Sequence, residues 1–177
     1  MSYLANIKDV VQLDISEIIT KLQKEFTSVD GWDFDIVEVS AVKPSCLHVY
    51  QERLKYSFES LLLCQKYSIP IGAPYQIFYS NGKNHIVVPP IVERRNDVLV
   101  VCDGMHRLYI LRKQNIKQSY ALIANNPHLP MPGDINEWES VTLEMQQLPV
   151  ENNFINFNRN GLTGYSKYCN GRSFWTN

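Results

Sequence analysis

The segment 103–107 constrains the fold of this chain more than any other, because it joins two runs with different periodicity. The apolar run 98–101 precedes it, and residues 108–112 have helical spacing. A strand that turns through glycine into a helix leaves backbone N–H groups and the positive end of the helix dipole available to an anion. The same turn supplies the carboxylate of Asp103, the imidazole of His106 and the guanidinium of Arg107. These groups together favour phosphate, and above all nucleotide phosphate, as the ligand.

Length and composition predict one folded domain. The chain has 177 residues, of which 45% are hydrophobic and 20% charged, as in ordinary globular proteins. The formal charge of −1 gives no support for non-specific nucleic-acid binding. The four cysteines form no CxxC pair, and no run is apolar enough to span a bilayer. The beginning of the chain does not resemble a secretion signal, so we expect a cytoplasmic protein without a membrane partner.

Periodicity and turn signals predict alternating helices and strands, which indicates an α+β fold. Asn-Gly at 81–82 and Asn-Asp at 96–97 mark two hairpin turns. The predicted helices are 14–26, 49–67 and one that follows residue 107, and the predicted strands are 36–42, 75–79, 84–88, 91–95, 98–101 and 119–124.

We expect a single domain, 1–177, with three parts. Residues 1–29 contribute an N-terminal helix, residues 30–125 form the core, and residues 126–177 form a C-terminal loop or cap. The tail at 152–177 is rich in Asn, Gly and aromatic residues, with Arg159, Lys167 and Arg172 spaced through it. This tail either closes over a ligand as a lid or covers a hydrophobic face.

The stretch 91–124, with Asp-Gly-Met-His-Arg between a strand and a helix, resembles the core of the ParB/sulfiredoxin superfamily. Its turn is most similar to that of the free-serine kinases in this superfamily, which carry Asp-Gly-His-His-Arg. The resemblance implies a small mixed sheet with flanking helices, to which this chain adds its N-terminal helix and C-terminal cap. Sulfiredoxins place a reactive cysteine where this chain has Met105, and no helix-turn-helix module follows the core as in ParB proteins.

The resemblance also implies roles for the residues of the turn. Gly104 lets the backbone approach the phosphates, and Met105, His106 and Arg107 bind them from the first helical turn. Asp103 orients His106 or helps to hold Mg²⁺ bound to the phosphates of ATP, ADP or CTP. Both Asp103 and His106 are therefore candidate catalytic residues.

The identity of the general base is open at the level of sequence. The free-serine kinases use a glutamate shortly after the proline that ends their first strand. Here Pro44 is followed by Ser-Cys-Leu-His, so His48, Glu38 and Glu52 are the candidates.

Arg94 and Arg95 form a basic pair in the strand before the turn, and we consider them secondary phosphate ligands. The expected function is nucleotide binding with phosphoryl transfer or hydrolysis toward a small acceptor. The alternative is a non-catalytic, nucleotide-responsive adaptor or a DNA-binding ParB-like module. DNA is the less favoured partner, and the sequence does not define the oligomeric state.

Overall fold

The computed structural model describes residue 4 and residues 6–163. The protein is a mixed α+β structure, as predicted. Residues 164–177 lie outside the described part of the chain, and with them Lys167 and Arg172 of the predicted lid or cover. The helices are α1 (Ile15–Glu25), α2 (Gln51–Lys66) and α3 (Met105–Lys113). The strands are β1 (Ile7–Gln12), β2 (Gly31–Glu38), β3 (Val42–Lys43), β4 (His48–Tyr50), β5 (Tyr75–Tyr79), β6 (Asn84–Val87), β7 (Ile91–Arg95), β8 (Val98–Asp103), β9 (Gln118–Asn125) and β10 (Thr142–Glu144).

The largest sheet has five strands in the order β2-β9-β7-β8-β3. Two of its neighbouring pairs, β7 with β9 and β3 with β8, are parallel, whereas β2 with β9 and β7 with β8 are antiparallel. Asn96 and Asp97 connect β7 to β8 with φ values of 46° and 65°. Positive φ at both residues is typical of the two-residue hairpin turn that the Asn-Asp pair predicts.

The two faces of this sheet bury different helices. On one face Ile91 and Leu122 pack with Ile18 and Leu22 of α1. On the other, the next residues along the same strands pack against α2 and α3, and the buried side chains there include Val92, Ile123, Leu61 and Leu108. This alternation follows from the two-residue period of a strand. It places α3 directly against the sheet from which it emerges.

The predicted strand at 36–42 is wrong in its bounds. β2 begins at Gly31 and ends at Glu38, and the chain then turns before β3. The turn is closed by the Ala41 N–H, which donates to the Glu38 carbonyl at 2.9 Å. Pairing of β2 with β9 over eight residues draws the segment after Asp30 into the sheet.

A second, antiparallel sheet with the order β1-β5-β6 packs on the far side of α2. Its buried residues Val10, Tyr75 and Ile77 share a core with Leu63 and Cys64 of α2. The predicted hairpin at 75–88 is confirmed, with Gly82 at a φ of 80° in its turn. Helix α2 therefore lies between the two sheets.

The segment after β9 returns to the start of α2. β10 pairs in parallel with β4, and the Trp138 indole N–H donates to the Val42 carbonyl at 2.6 Å. These contacts fix β4, which leads directly into α2. Among the described helices, none has the length and apolar character needed to cross a bilayer.

Candidate functional site

The candidate site is built on a left-handed glycine between β8 and α3. Gly104 has φ 87° and ψ 17° and is the N-cap residue of α3. L side chains rarely adopt this conformation. A Cβ atom here would lie 2.8 Å from Nη2 of Arg107 and 3.0 Å from the Cα of Pro90. The predicted turn therefore requires glycine for two reasons: the backbone angle is left-handed, and there is no space for a Cβ atom.

The first turn of α3 presents its backbone N–H groups without a side-chain cap among the described residues. The first N–H groups of a helix have no acceptor within the helix, and the helix dipole makes this end positive. No acidic residue lies in the first turn of this nine-residue helix. The side chain of Met105 is buried in the core, so Met105 offers a ligand only its main chain.

His106 lies between α3 and the start of α2. Its Nε2 accepts a hydrogen bond from the Tyr50 backbone N–H at 3.0 Å, and the two rings stack with centroids 5.9 Å apart. Burial, with the positive charges of Arg53 and Arg107, lowers the pKa of His106 to about 4. Since Nε2 accepts, the neutral ring carries its proton on Nδ1. At neutral pH His106 is thus an uncharged hydrogen-bond donor whose Nε2 is already engaged.

The guanidinium of Arg107 is held against the turn. Nη1 donates to the Val88 carbonyl, and Nη2 lies 3.6 Å from Oδ2 of Asp103. The side chain is 22% exposed, so solvent and solutes reach it. A partly buried guanidinium with a fixed orientation is well suited to bind an oxyanion.

Asp103 is the carboxylate of the turn, and its side chain is 38% exposed. Among the described residues, no three His, Cys, Asp or Glu side chains come together as a metal site. Protein-bound Mg²⁺ often has one or two carboxylate ligands, with phosphate and water as the rest. The residues present therefore fit a Mg²⁺ ion that arrives with nucleotide phosphates, and they do not fit a site built from protein ligands alone.

Arg53 is a residue of this site that the sequence did not single out. It lies in the first turn of α2, with Cζ 6.0 Å from the centroid of the Tyr50 ring, and its charge acts on His106. No described carboxylate forms an ion pair with it. In sequence Arg53 is one of several charged residues of a helix, so its role depends on the approach of α2 to α3.

His48, a candidate base, lies in β4 two residues before Tyr50. Nδ1 is 2.7 Å from Oγ1 of Thr142, and Nε2 is 3.1 Å from the Asn152 carbonyl oxygen. Oε1 of Glu144 lies 3.6 Å from Nδ1. Both ring nitrogens therefore contact the C-terminal segment, and this ring connects that segment to β4.

The two candidate glutamates differ in position. Glu52 is exposed in the first turn of α2, next to Arg53 and at the end of the helix that faces His106. Glu38 ends the edge strand β2, where it accepts a hydrogen bond from the Gln118 amide at 2.7 Å. β2 is three strands away from β8, roughly 14 Å at ordinary strand spacing. Glu52 is therefore the nearer of the two to the turn.

Arg94 and Arg95 lie at the opposite end of the β7–β8 hairpin from the turn. Arg95 pairs with Val98 and Ile91 with Asp103, which corresponds to roughly 17 Å along the strands. Nε of Arg95 binds the fully buried carboxylate of Glu93 at 2.5 Å, and Nη2 donates to the Leu129 carbonyl at 2.7 Å. Nε of Arg94 donates to Asn125 at 3.2 Å. The structure does not bring this basic pair to residues 103–107.

Fold and site together describe a mixed α+β protein with a cationic cluster where two helices begin. No family model and no curated protein matches the chain. Among solved structures, protein Atu1540 from Agrobacterium tumefaciens aligns with a TM-score of 0.36 and 12% identity. The alignment covers 58% of this chain and 44% of that protein, so the chain spans less than half of its length.

Proposed function

We propose that this protein binds a nucleotide through its phosphates at residues 103–107 and transfers or hydrolyses the terminal phosphoryl group. The observation that carries the proposal is the N-terminal end of α3, which no described side chain caps and which carries Arg107 and a neutral His106 in its first turn. Backbone N–H groups and a guanidinium at one point form an anion-binding arrangement.

The charge balance of the cluster supports a polyanionic ligand. Arg53 and Arg107 are both close enough to His106 to lower its pKa. Among the described residues, the carboxylate that pairs with this cluster is that of Asp103, which lies 3.6 Å from Arg107 and is partly exposed. Phosphate groups would offset this positive charge. A neutral His106 adds a hydrogen bond without adding repulsion toward Mg²⁺.

The sequence resemblance to the ParB/sulfiredoxin superfamily, and within it to the free-serine kinases, supports the same proposal. The Asp-Gly-Met-His-Arg motif lies between β8 and α3. A nucleotide-binding role for these residues requires this position between a strand and a helix. Positioning and charge stabilisation are the main contributions of a protein to phosphoryl transfer, and Arg107 with the amides of α3 supplies both. ATP, ADP and CTP, each with Mg²⁺, are the ligands to test.

A non-catalytic, nucleotide-responsive adaptor is the second candidate. The observation in its favour is that Nε2 of His106 and both ring nitrogens of His48 are engaged in hydrogen bonds. An engaged imidazole is a poor general base. For the catalytic function proposed first, the candidate general base is Glu52, which is exposed and lies near the turn.

Calorimetry with ATP, ADP and CTP in the presence of Mg²⁺ tests the binding site. Arg107→Ala should weaken binding about 10- to 100-fold, because a hydrogen bond to a charged group is worth about 1.5–3 kcal/mol. Lys113→Ala is the matched control, since it removes one positive charge at the other end of α3, roughly 12 Å away. Equal affinity of Arg107→Ala and the wild type would refute the site.

Release or transfer of phosphate then separates the two functions. Turnover that Arg107→Ala abolishes supports the enzyme, whereas binding without turnover supports the adaptor. Salt-sensitive retention of a DNA duplex without nucleotide binding would indicate the DNA-binding alternative.

A further inference from the structure

β10 is an edge strand whose outer side pairs with no strand in the described part of the chain. The Thr142 N–H donates to the Leu47 carbonyl at 2.8 Å, in keeping with the parallel pairing of β10 and β4. In a parallel pair, successive residues of a strand direct their N–H and C=O groups to opposite sides. The N–H and C=O of Leu143 therefore point away from β4, where a further strand can bind them.

Two other edge strands are protected in a way that β10 is not. In β2 the carboxylate of Asp35 accepts from the Ile36 N–H at 2.7 Å, and in β1 that of Asp9 accepts from the Val10 N–H at 2.8 Å. A carboxylate that occupies a main-chain donor reduces the capacity of an edge to pair with another chain. Within residues 6–163, no side chain hydrogen-bonds to the Leu143 N–H.

The two faces of β10 differ in chemistry. Leu143 is paired with Val49, so its side chain lies on the face of the two strands on which Val49 is fully buried. Leu143 itself is 48% exposed, and Met145, just after the strand, is 73% exposed. Glu144 lies on the opposite face, because side chains alternate along a strand. A strand added beside β10 would therefore meet an apolar surface on one face and a carboxylate on the other.

The segment that contains β10 is acidic. Residues 118–158 include five carboxylates and no Lys or Arg. Two of these carboxylates form ion pairs with cations of other elements. Glu144 lies 3.6 Å from His48 rather than beside a Lys or Arg, and Glu151 is exposed and pairs with no described cation. These two carboxylates are therefore available to cations of a partner.

Glu151 lies near the face of β10 that carries Glu144. The carbonyl of Asn152, the next residue, is 3.1 Å from Nε2 of His48. Oγ1 of Thr142 is 2.7 Å from Nδ1 of the same ring. Because Thr142 and Glu144 are two residues apart in a strand, they share one face. Both available carboxylates therefore border the same side of the edge.

We infer that the outer side of β10 docks an extended segment of a partner protein in which apolar residues alternate with Lys or Arg. The segment adds a strand through the N–H and C=O of Leu143. Its apolar side chains cover Leu143 and Met145, and its cations approach Glu144 and Glu151. In this mode main-chain hydrogen bonds contribute affinity, and alternate side chains contribute specificity. A second copy of β10 would bring like charges together, which opposes self-pairing.

Fluorescence anisotropy with labelled hexapeptides tests this docking surface. The peptide acetyl-Lys-Val-Lys-Val-Lys-Val-amide should bind at least about tenfold more tightly than the same peptide with Glu in place of Lys. The control of equal composition, acetyl-Lys-Lys-Lys-Val-Val-Val-amide, lacks the alternation and should bind at least about threefold more weakly than the alternating peptide. N-methylation of either all Lys or all Val amides should abolish binding in one of the two cases only, because a strand presents alternate N–H groups to its neighbour.

Variants of the protein locate the binding. Leu143→Ser removes apolar area that the peptide covers and should weaken binding about fivefold. Ile36→Ser is the matched control, because Ile36 is 47% exposed on the protected strand β2, and it should bind as the wild type does. Glu151→Lys should weaken binding at least about threefold at low salt, whereas Glu17→Lys, the same charge change on α1, should stay within about twofold. If Leu143→Ser does not fold, the comparison of the two charge changes decides the result.

Backbone amide resonances and light scattering complete the test. The inference is supported if the alternating peptide shifts the Leu143 amide most and both control variants bind as the wild type does. It is overturned if the alternating peptide does not bind at millimolar concentration, if the acidic peptide binds as tightly, or if Ile36→Ser weakens binding as much as Leu143→Ser. A dimer that Leu143→Ser dissociates would assign the edge to a second copy of the chain and would also overturn it.

Discussion

Acidification should destabilise this protein through His106. Protonation places a hydrogen on Nε2, where the Tyr50 backbone N–H now donates at 3.0 Å. It also adds a positive charge close to Arg53 and Arg107. Folding therefore favours the neutral ring, whose pKa is lowered to about 4 from an ordinary value of 6.5.

The lowered pKa sets the size and the sign of the effect. A difference between about 4 in the folded protein and 6.5 in the unfolded chain corresponds to about 3 kcal/mol at most. Partial exposure of the imidazole to solvent reduces this figure to about 1–3 kcal/mol. Between pH 4 and 6.5 the unfolded chain binds more protons than the folded one. The contribution is therefore complete above pH 6.5 and is lost as the pH falls toward 4.

Urea unfolding at a series of pH values, on the wild type and on His106→Gln, measures this contribution. Glutamine does not titrate, and its side-chain oxygen can accept the Tyr50 N–H. The other three histidines are common to both proteins, so the difference between the two curves isolates His106. The wild type should lose about 1–3 kcal/mol more than the variant between pH 7 and pH 4. Parallel curves, or an imidazole NMR titration of His106 centred near pH 6.5, would refute the reasoning.

Three further substitutions test the turn and the far end of the hairpin. Gly104→Ala should lower the free energy of unfolding by at least about 1–2 kcal/mol, because φ is 87° and the new Cβ lies 2.8 Å from the Arg107 guanidinium. Nucleotide affinity should fall as well, because that guanidinium is displaced. An unchanged melting curve would contradict the predicted loss of stability. Arg95→Ala removes the ion-pair partner of the buried Glu93 and should cost about 3–5 kcal/mol in denaturant unfolding. Arg94→Ala removes the same charge and should lower the free energy of unfolding by less than about 1 kcal/mol. Equal losses of stability in the two variants would show that the buried ion pair of Arg95 with Glu93 does not account for the effect.

Local signals were sufficient to predict the elements around the turn. Residues 98–101 and 108–112 lie within β8 and α3, and Asn96 and Asp97 have the positive φ values of the predicted hairpin turn. α1 begins within the helix predicted at 14–26, directly after Asp14, whose carboxylate accepts from the Ser16 N–H at 2.9 Å. These features depend on residues a few positions apart, which is why the sequence alone predicts them.

Elements that depend on distant partners were missed or misplaced. β1 buries little besides Val10 and is held mainly by pairing with β5. Its sequence therefore lacks the alternation of apolar and polar residues that would predict a strand. β2 starts at Gly31, a residue that locally signals a turn, because β9 pairs with it along its whole length. β10 is formed against β4 by residues about a hundred positions apart. Propensity carries no information about such pairings.

The same distinction applies to the site. Residues 103–107 were found because a glycine, an imidazole and a guanidinium are adjacent in sequence. Arg53 and Tyr50 were missed because only the packing of α2 on α3 brings them to His106. Arg94 and Arg95 are close to the turn in sequence, but an antiparallel hairpin places them at its other end.

The most direct test of the central claim is a titration of ¹⁵N-labelled protein with Mg-ATP, followed through its backbone amide resonances. If the start of α3 binds the phosphates, the largest shifts will be those of Gly104, Met105, His106 and Arg107, because a bound oxyanion hydrogen-bonds to the N–H groups there. If these four amides do not move at millimolar nucleotide, or if the largest shifts lie around Arg94 and Arg95, the account is contradicted.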